Sequence, residues 1–426
     1  MKIPVKVLVF PCGSEVGLEV FQCLSRSRHV ELWGAGSTKD HGDFLYSNYI
    51  SGLPYVTDKD FIESIRKTVN QYEIDVLIPT MESALVTLKV NEAYLNCKIM
   101  SSPLDTVLIC NSKLATYERL SEYMKTPAIY NKLNDVNEYP VFLKPDIGYG
   151  SRNSCIVNND AAARVLLRDN TNTIICEYLP GNEYTIDCFS DRNGSLRYYY
   201  ARKRNRIKHG ISVNSTTAKE HDFEQLSKII NKVLRFRGAW FFQMKENSSG
   251  DLVLLEVASR IGGSSGLSRA RGVNLPLLSL FDLFDVDVSI SPNEIEVESD
   301  RALTTRFKHN YVFNTAYVDF DDCLIINNQV NVDLIKLLFV FRNKNKRIVL
   351  ITKHQGNIED ELTKYRLNTF FDQIIHIKNN ENKSDYIKER ESAVFIDDSF
   401  AERESVLKTK GVPVFSLDML EVLFEC

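Results

Sequence analysis

The chain of 426 residues carries 52 Lys and Arg against 56 Asp and Glu, a net charge of −4, with 44% hydrophobic and 25% charged residues. That length and mix fit about two to four soluble globular domains, and the near-balanced charge disfavours nucleic acid and anionic membrane as partners. No stretch reaches about 18 consecutive apolar residues, so no ordinary membrane span is expected, and nine cysteines without a CxxC pair read as buried free thiols in a reducing cytoplasm.

In chain order, VKVLVFPC reads as a strand, GSEVGLEVFQCLSRS as a loop entering an amphipathic helix, and VELWGAG as a second strand. DFIESIRKTVNQYEI then reads as a helix before the strand DVLIPT. This alternation predicts a parallel α/β domain over residues 1–107. Its first turn, CGSEVG, lacks the GxGxxG spacing of a dinucleotide fold. Glu82 and Ser83, just past LIPTM, stand where either an acceptor substrate or a plain helix first turn fits.

In VFLKPDIGYGSRNSCIV, Lys144 closes an apolar run, and Gly148 and Gly150 leave backbone N–H groups free to approach phosphate oxygens next to Ser151. IICEYLPGNEYTIDCF places Glu177, Glu183 and Asp187 around a Pro-Gly turn. The basic run ARKRNRIKHG holds Arg202, Arg204 and His209. HDFEQLSKIINKVLRF has apolar residues at helical spacing and is expected to cover a sheet. WFFQMKENSSGDLVLLEVASRIGG reads as a hairpin with Gln243 and Lys245 on one strand, Glu256 on the other and Arg260 just beyond. A triphosphate site needs cations for phosphates and carboxylates for magnesium, and both occur here.

This order of motifs resembles the ATP-grasp superfamily, in particular its carboxylate–amine ligases, over residues 1–308. The resemblance implies a nucleotide-binding domain over 108–308, with a lid-bearing lobe to about 180 and a larger sheet beyond. By the same resemblance Lys113 and Lys144 hold the phosphates and the adenine side, Glu177, Tyr178 and Leu179 form the hinge that meets adenine, and Glu183 takes the ribose hydroxyls. Arg202, Arg204 and Arg260 fall where the family places arginines against the triphosphate and the acyl-phosphate, Arg260 in a catalytic role. Glu256 is implied as a magnesium ligand with Gln243 beside it. The family commonly reads Glu-x-Asn on that strand, whereas this chain has Ala258.

Further on, AYVDFDDCLII puts Asp319 and Asp321 at the end of an apolar strand, two apart and so expected on one side of it. Thr352 closes RIVLIT, Lys383 follows in NENKSDYI, and Asp397 and Asp398 close AVFIDD. Three apolar strands thus end in polar residues, as open α/β sheets do where ligands bind. These four motifs resemble the haloacid dehalogenase superfamily of phosphatases over residues 313–426, with Cys323 where Thr or Val is usual. The resemblance implies Asp319 as nucleophile, Asp321 as acid and base, and Thr352 and Lys383 as holders of the phosphoryl group. Asp319, Asp321, Asp397 and Asp398 are implied as the magnesium site.

The expected whole is an α/β protein: a parallel α/β domain, the α+β lobes of an ATP-grasp domain and a Rossmannoid phosphatase-like domain. Its expected cofactors are ATP and Mg2+. Its expected partners are a small-molecule carboxylate, an amine and a phosphorylated small molecule, with a homo-oligomer left open. Two rival expectations are an active ligase whose last domain only regulates, and an ATP-binding sensor or scaffold.

Overall fold

The computed structural model describes residues 3–148, 153–168, 172–208, 210–378, 381–388 and 391–424. The expectations placed on Gly150, Ser151 and His209 fall outside those residues. The chain forms two compact units, Met1–Leu303 and Thr304–Cys426.

The first unit begins with a five-stranded parallel sheet ordered Asn48–Ile50, Val30–Ala35, Val5–Phe10, Val76–Pro79, Lys98–Ile99. Val5–Phe10 and Val76–Pro79 are almost wholly apolar and buried because helices cover both faces, the condition under which parallel strands lose their alternation. The chain leaves Val5–Phe10 to one side and returns on its other side at Val76–Pro79, so a crevice opens where these two strands end. Ser14 caps the helix Glu15–Leu24 by accepting from the Gly17 N–H at 3.0 Å. Its hydroxyl also donates to Thr80 Oγ1 at 2.8 Å, and Thr80 donates to Pro11 O at 2.7 Å, which ties the two strand ends together.

A four-stranded antiparallel sheet follows, ordered Ile129–Tyr130, Thr173–Glu177, Val141–Pro145, Cys155–Val157. Beside it lies a six-stranded antiparallel sheet ordered Leu252–Ala258, Gly238–Glu246, Glu183–Ser190, Leu196–Lys208, Ile211–Thr217, Glu298–Asp300. The helix Phe223–Leu234 covers this larger sheet, capped by Asp222. It buries Phe223, Ser227, Ile230, Asn231 and Leu234 and leaves Leu226, Ile229 and Val233 half-buried at its flanks. Two polar residues reach the buried face because they have partners there: Ser190 Oγ donates to Asn231 Oδ1 at 2.6 Å and accepts from Trp240 Nε1 at 2.9 Å. Trp240 also stacks on Phe236 with ring centres 3.9 Å apart.

The second unit is a parallel sheet ordered Gln373–His376, Arg347–Thr352, Thr315–Val318, Ala393–Ile396, Val414–Phe415. Its three middle strands are apolar and buried, and the helices Val332–Asn343 and Phe400–Lys410 pack on it. Among the described residues no helix is long and apolar enough to cross a membrane, and the eight of the nine cysteines that lie among them are free.

Candidate functional sites

In the first unit a slot opens between the four-stranded and six-stranded sheets, and Lys113, Lys144, Gly148, Glu177, Tyr178, Leu179, Glu183, Arg204, Gln243 and Glu256 line it. Residues far apart in sequence meet there because the strand Val141–Pro145, which carries Lys144, and the hairpin Gly238–Ala258 face each other across the gap. Lys144 is buried, and burial lowers the pKa of its ammonium. Its Nζ donates to the Tyr117 hydroxyl at 2.6 Å, which in turn donates to Leu255 O at 2.5 Å. Lys113 Nζ donates to the carbonyls of Asp146 and Gly148 at 3.0 and 3.3 Å, so the lysine lies along the segment from Asp146 to Gly148. Asp146 anchors that segment by accepting from Ser112 Oγ at 2.9 Å and Leu114 N at 2.8 Å.

At the hinge end Glu177 turns its carboxylate to the Ala128 N–H at 2.8 Å. Glu183 pairs with Arg204 and stands 3.7 Å from Lys245. Arg204 also donates to Gln243 Oε1 at 3.2 Å and to Gly210 O at 2.6 Å. Gln243 and Glu256 are direct cross-strand partners. Burial, and then the negative charge of Glu82, raise the Glu256 pKa against the pull of Lys113, Arg260 and Arg204. An oxygen-only pair of this kind, with phosphate oxygens to complete the shell, suits magnesium.

Two expected phosphate arginines lie elsewhere. Arg202 is fully buried and is drawn to Asp187, with Nε and Nη2 donating to its carboxylate at 3.1 and 3.0 Å, and Nη1 donating to Ser264 Oγ at 2.7 Å. It borders a wider cleft next to the slot rather than the slot itself. Gly262 allows that pair to form, because a Cβ there would come within 3.2 Å of Asp187 Oδ1 and 3.4 Å of Arg202 Nη2. Arg260 also lines the wider cleft, where it pairs with Glu82 over the Phe241 ring. The cleft holds about 700 Å³ and shares Arg204, Gly210, Gln243 and Glu256 with the slot.

In the second unit Asp319, Thr352 and Asp397 each follow or close one of three neighbouring strands. Lys383 Nζ lies 2.6 Å from Asp319 Oδ1 and 2.7 Å from Asp397 Oδ2. Oxygens of Asp319, Asp397 and Asp398 lie within 4.8 Å of one another. Burial pushes the Asp319 and Asp397 carboxyls up despite Lys383. Burial alone would lower the Lys383 ammonium, but the two aspartates outweigh it and raise it. Three crowded carboxylates with one lysine are a hard-oxygen donor set with surplus negative charge, which suits a divalent cation.

Asp321 does not share a strand face with Asp319. The strand ends at Val318 and the backbone turns, with Asp322 at φ 50°. The Asp321 carboxylate instead meets His354 Nδ1 at 2.9 Å and stands apart from the three-carboxylate group. Thr352 is fully buried, its Oγ1 accepting from the His354 N–H at 3.1 Å. Tyr117, Asp146 and His354 are not among the residues that the sequence motifs single out. Only Asp146 carried a signal, as the acid two residues after Lys144 beside the glycine turn.

Residues 169–306 match the model of a family described as ATP-grasp in the biosynthetic pathway with Ter operon. Comparison with curated proteins gives no match. Among solved structures the chain is similar to a biotin carboxylase from Campylobacter jejuni in complex with β,γ-ATP, at 13% identity and a TM-score of 0.57 over 68% of this chain and 72% of that one. It is also similar to an L-amino acid ligase from Bacillus licheniformis, at 18% identity and a TM-score of 0.54 over 66% and 75%. An N5-carboxyaminoimidazole synthetase from Staphylococcus aureus has 16% identity and a TM-score of 0.55 over 68% and 81%. Residues 169–306 thus match an ATP-grasp family model, and these solved structures share the fold of about two thirds of the chain.

Proposed function

We propose that the first unit is an ATP-dependent carboxylate–amine ligase working through an acyl-phosphate, with a leading domain over 1–107 and a nucleotide-binding domain over 108–308. The observation that carries this reading is the slot itself, where Lys113, Lys144, the Glu177–Leu179 hinge and Glu256 converge and open into a second cleft. One compartment suits a nucleotide and the other an acceptor, with Arg204 and Glu256 at their junction. Lys113 and Lys144 neutralise phosphate charge, the hinge backbone meets adenine and Glu183 takes the ribose. Glu256 and Gln243 would hold Mg2+, which supplies charge neutralisation on the transferring group. Arg260 faces the acceptor side, where a carboxylate oxygen attacks the γ-phosphorus and ADP leaves. An amine then attacks the acyl carbon, expels phosphate and leaves an amide. A fold relative named an L-amino acid ligase is consistent with this chemistry. The test is ADP release with pooled carboxylates and amines, in the parent protein and in Glu256→Gln. Release dependent on both substrates, lost by about 100-fold or more in the variant, is expected; nucleotide binding with no ADP formed would instead favour a sensor.

For residues 313–426 we propose a phosphomonoester phosphatase of the haloacid dehalogenase type, a reading that rests on the cluster of Asp319, Asp397 and Asp398 around Lys383. Asp319 attacks phosphorus to give an aspartyl-phosphate, and Asp321, once released from His354, protonates the leaving oxygen and later takes a proton from water. Thr352 and Lys383 hold the phosphoryl oxygens. Asp319, Asp397 and Asp398 would hold Mg2+, which offsets their mutual repulsion and that of the phosphate. Covalent linkage suggests a phosphorylated form of the ligase substrate or product as its target. Asp319→Asn is expected to lower phosphatase turnover by about 10³-fold with ADP release intact. Absence of phosphatase activity in the parent protein would leave a regulatory module.

A further inference from the structure

The wider cleft of the first unit contains two ion pairs, of whose four residues the ligase reading uses only Arg260. Arg301 Nη1 lies 3.1 Å from Glu15 Oε2, and Arg260 pairs with Glu82. All four residues line the cleft. Both glutamates come from the parallel sheet, in the first turns of the helices that follow its two switch-point strands. Both arginines come from the other side, one just past the strand Leu252–Ala258 and one just past Glu298–Asp300. The cleft therefore has a carboxylate wall and a guanidinium wall, bridged twice.

The other cations of the cleft are already answered from outside it. Arg202 is held by Asp187 and Arg204 by Glu183, and neither acid lines the cleft. With Glu256 assigned above to magnesium, what remains for a ligand is a balanced set of two Glu–Arg pairs. A purely anionic acceptor that engaged Arg301 would leave Glu15 without its partner and facing the same anion; a purely cationic one would strand the arginine. Separating a partly buried pair costs least when the incoming group replaces both partners. A second observation points to a ligand in the same place. Thr185 lines the cleft at 2% exposure, and its Oγ1 has no hydrogen-bond partner among the described residues, nor has Arg260 Nε. Buried polar atoms of this kind ordinarily have partners.

We propose that the cleft takes an amino-acid-type zwitterion, its ammonium against Glu15 and Glu82 and its carboxylate against Arg301 and Arg260. This deepens the ligase reading and rests on it. Glu15 and Arg301 are then specificity-determining residues, and Thr185 is a hydrogen-bonding contact.

The test uses the full chain with ATP and Mg2+, measuring ADP release with each standard amino acid alone and with pooled carboxylates. The best amino acid is then compared with its N-acetyl form, which lacks the ammonium, and its decarboxylated form, which lacks the carboxylate. Both analogues are expected to lose about tenfold or more in kcat/KM. Glu15→Gln is expected to raise KM for the amino acid about tenfold with KM for ATP unchanged, and Glu15→Asp to restore most of the loss. Equal activity of the analogues, or ADP release on carboxylates and plain amines with no response to amino acids, overturns the zwitterion while the ligase stands. If ATP does not bind, the ligase reading fails. Calorimetric titration of the same amino acids and analogues then decides the cleft by itself, binding of the zwitterion alone supporting the proposal and its absence overturning it.

Discussion

Arg202 in the first unit and Lys383 in the second are both buried cations held by aspartate, yet their surroundings differ in the balance of charge. Arg202 meets a single carboxylate, Asp187, and both side chains are 1% exposed. Its fork is filled by two bonds to Asp187 and one to Ser264. Lys383 is shared between Asp319 and Asp397, with Asp398 within reach of both. The first arrangement is neutral and closed, so it holds two strands and the Gly262 turn in place. The second keeps a surplus of negative charge, and only a further cation or a proton can remove it. Burial of charge by itself therefore does not mark a site; the imbalance does.

The largest effect follows from breaking the closed pair. Arg202→Ala leaves the Asp187 carboxyl buried without its partner, and a loss of about 3–5 kcal/mol is expected. Thermal or urea unfolding of the full chain should show this as a drop confined to the transition of the first unit. Replacing Arg202 and Asp187 together by apolar residues of similar size should recover most of the loss, since the penalty lies in the stranded charge. If the double variant is as unstable as Arg202→Ala, the pair is not the closed unit that the comparison requires.

The same contrast explains what could be read from sequence. Asp319, Thr352 and Asp397 each end a short apolar run, and a parallel sheet brings the ends of adjacent strands together whatever the loops do. Their meeting was therefore visible in the order of the motifs. The slot of the first unit depends on how two antiparallel sheets face each other. Sequence placed Lys144, Gln243 and Glu256 on their strands but could not show that Arg202 would turn to Asp187, since Arg202 stands opposite Thr185 in its hairpin and reaches Asp187 only diagonally. Asp321 shows the limit on a smaller scale. Two-residue alternation holds only while the strand lasts, and this one ends at Val318. Glu15 and Arg301 were invisible for the same reason, being 286 positions apart and joined only by the packing of two sheets.

A smaller and reversible effect sharpens the comparison from the open side. Burial first, and Asp397 next, raise Asp319 from the ordinary aspartate value to about 7 against the opposing pull of Lys383. A carboxyl whose folded pKa lies above its unfolded one binds protons more tightly when folded. Its stabilising contribution is complete below the unfolded value and is lost as pH rises through the folded one. Without divalent cations the second unit should therefore lose stability between about pH 4 and about pH 7, whereas a paired aspartate with a depressed pKa gains its stability below that range. Magnesium should flatten the loss, because a cation among Asp319, Asp397 and Asp398 favours the ionised forms. Asp319→Asn should flatten it without magnesium. Melting temperatures across that range, in chelator and in excess Mg2+, decide the matter: a second unit that gains stability through the window in chelator would show that Lys383 neutralises the cluster unaided, and that the two buried cations do the same work.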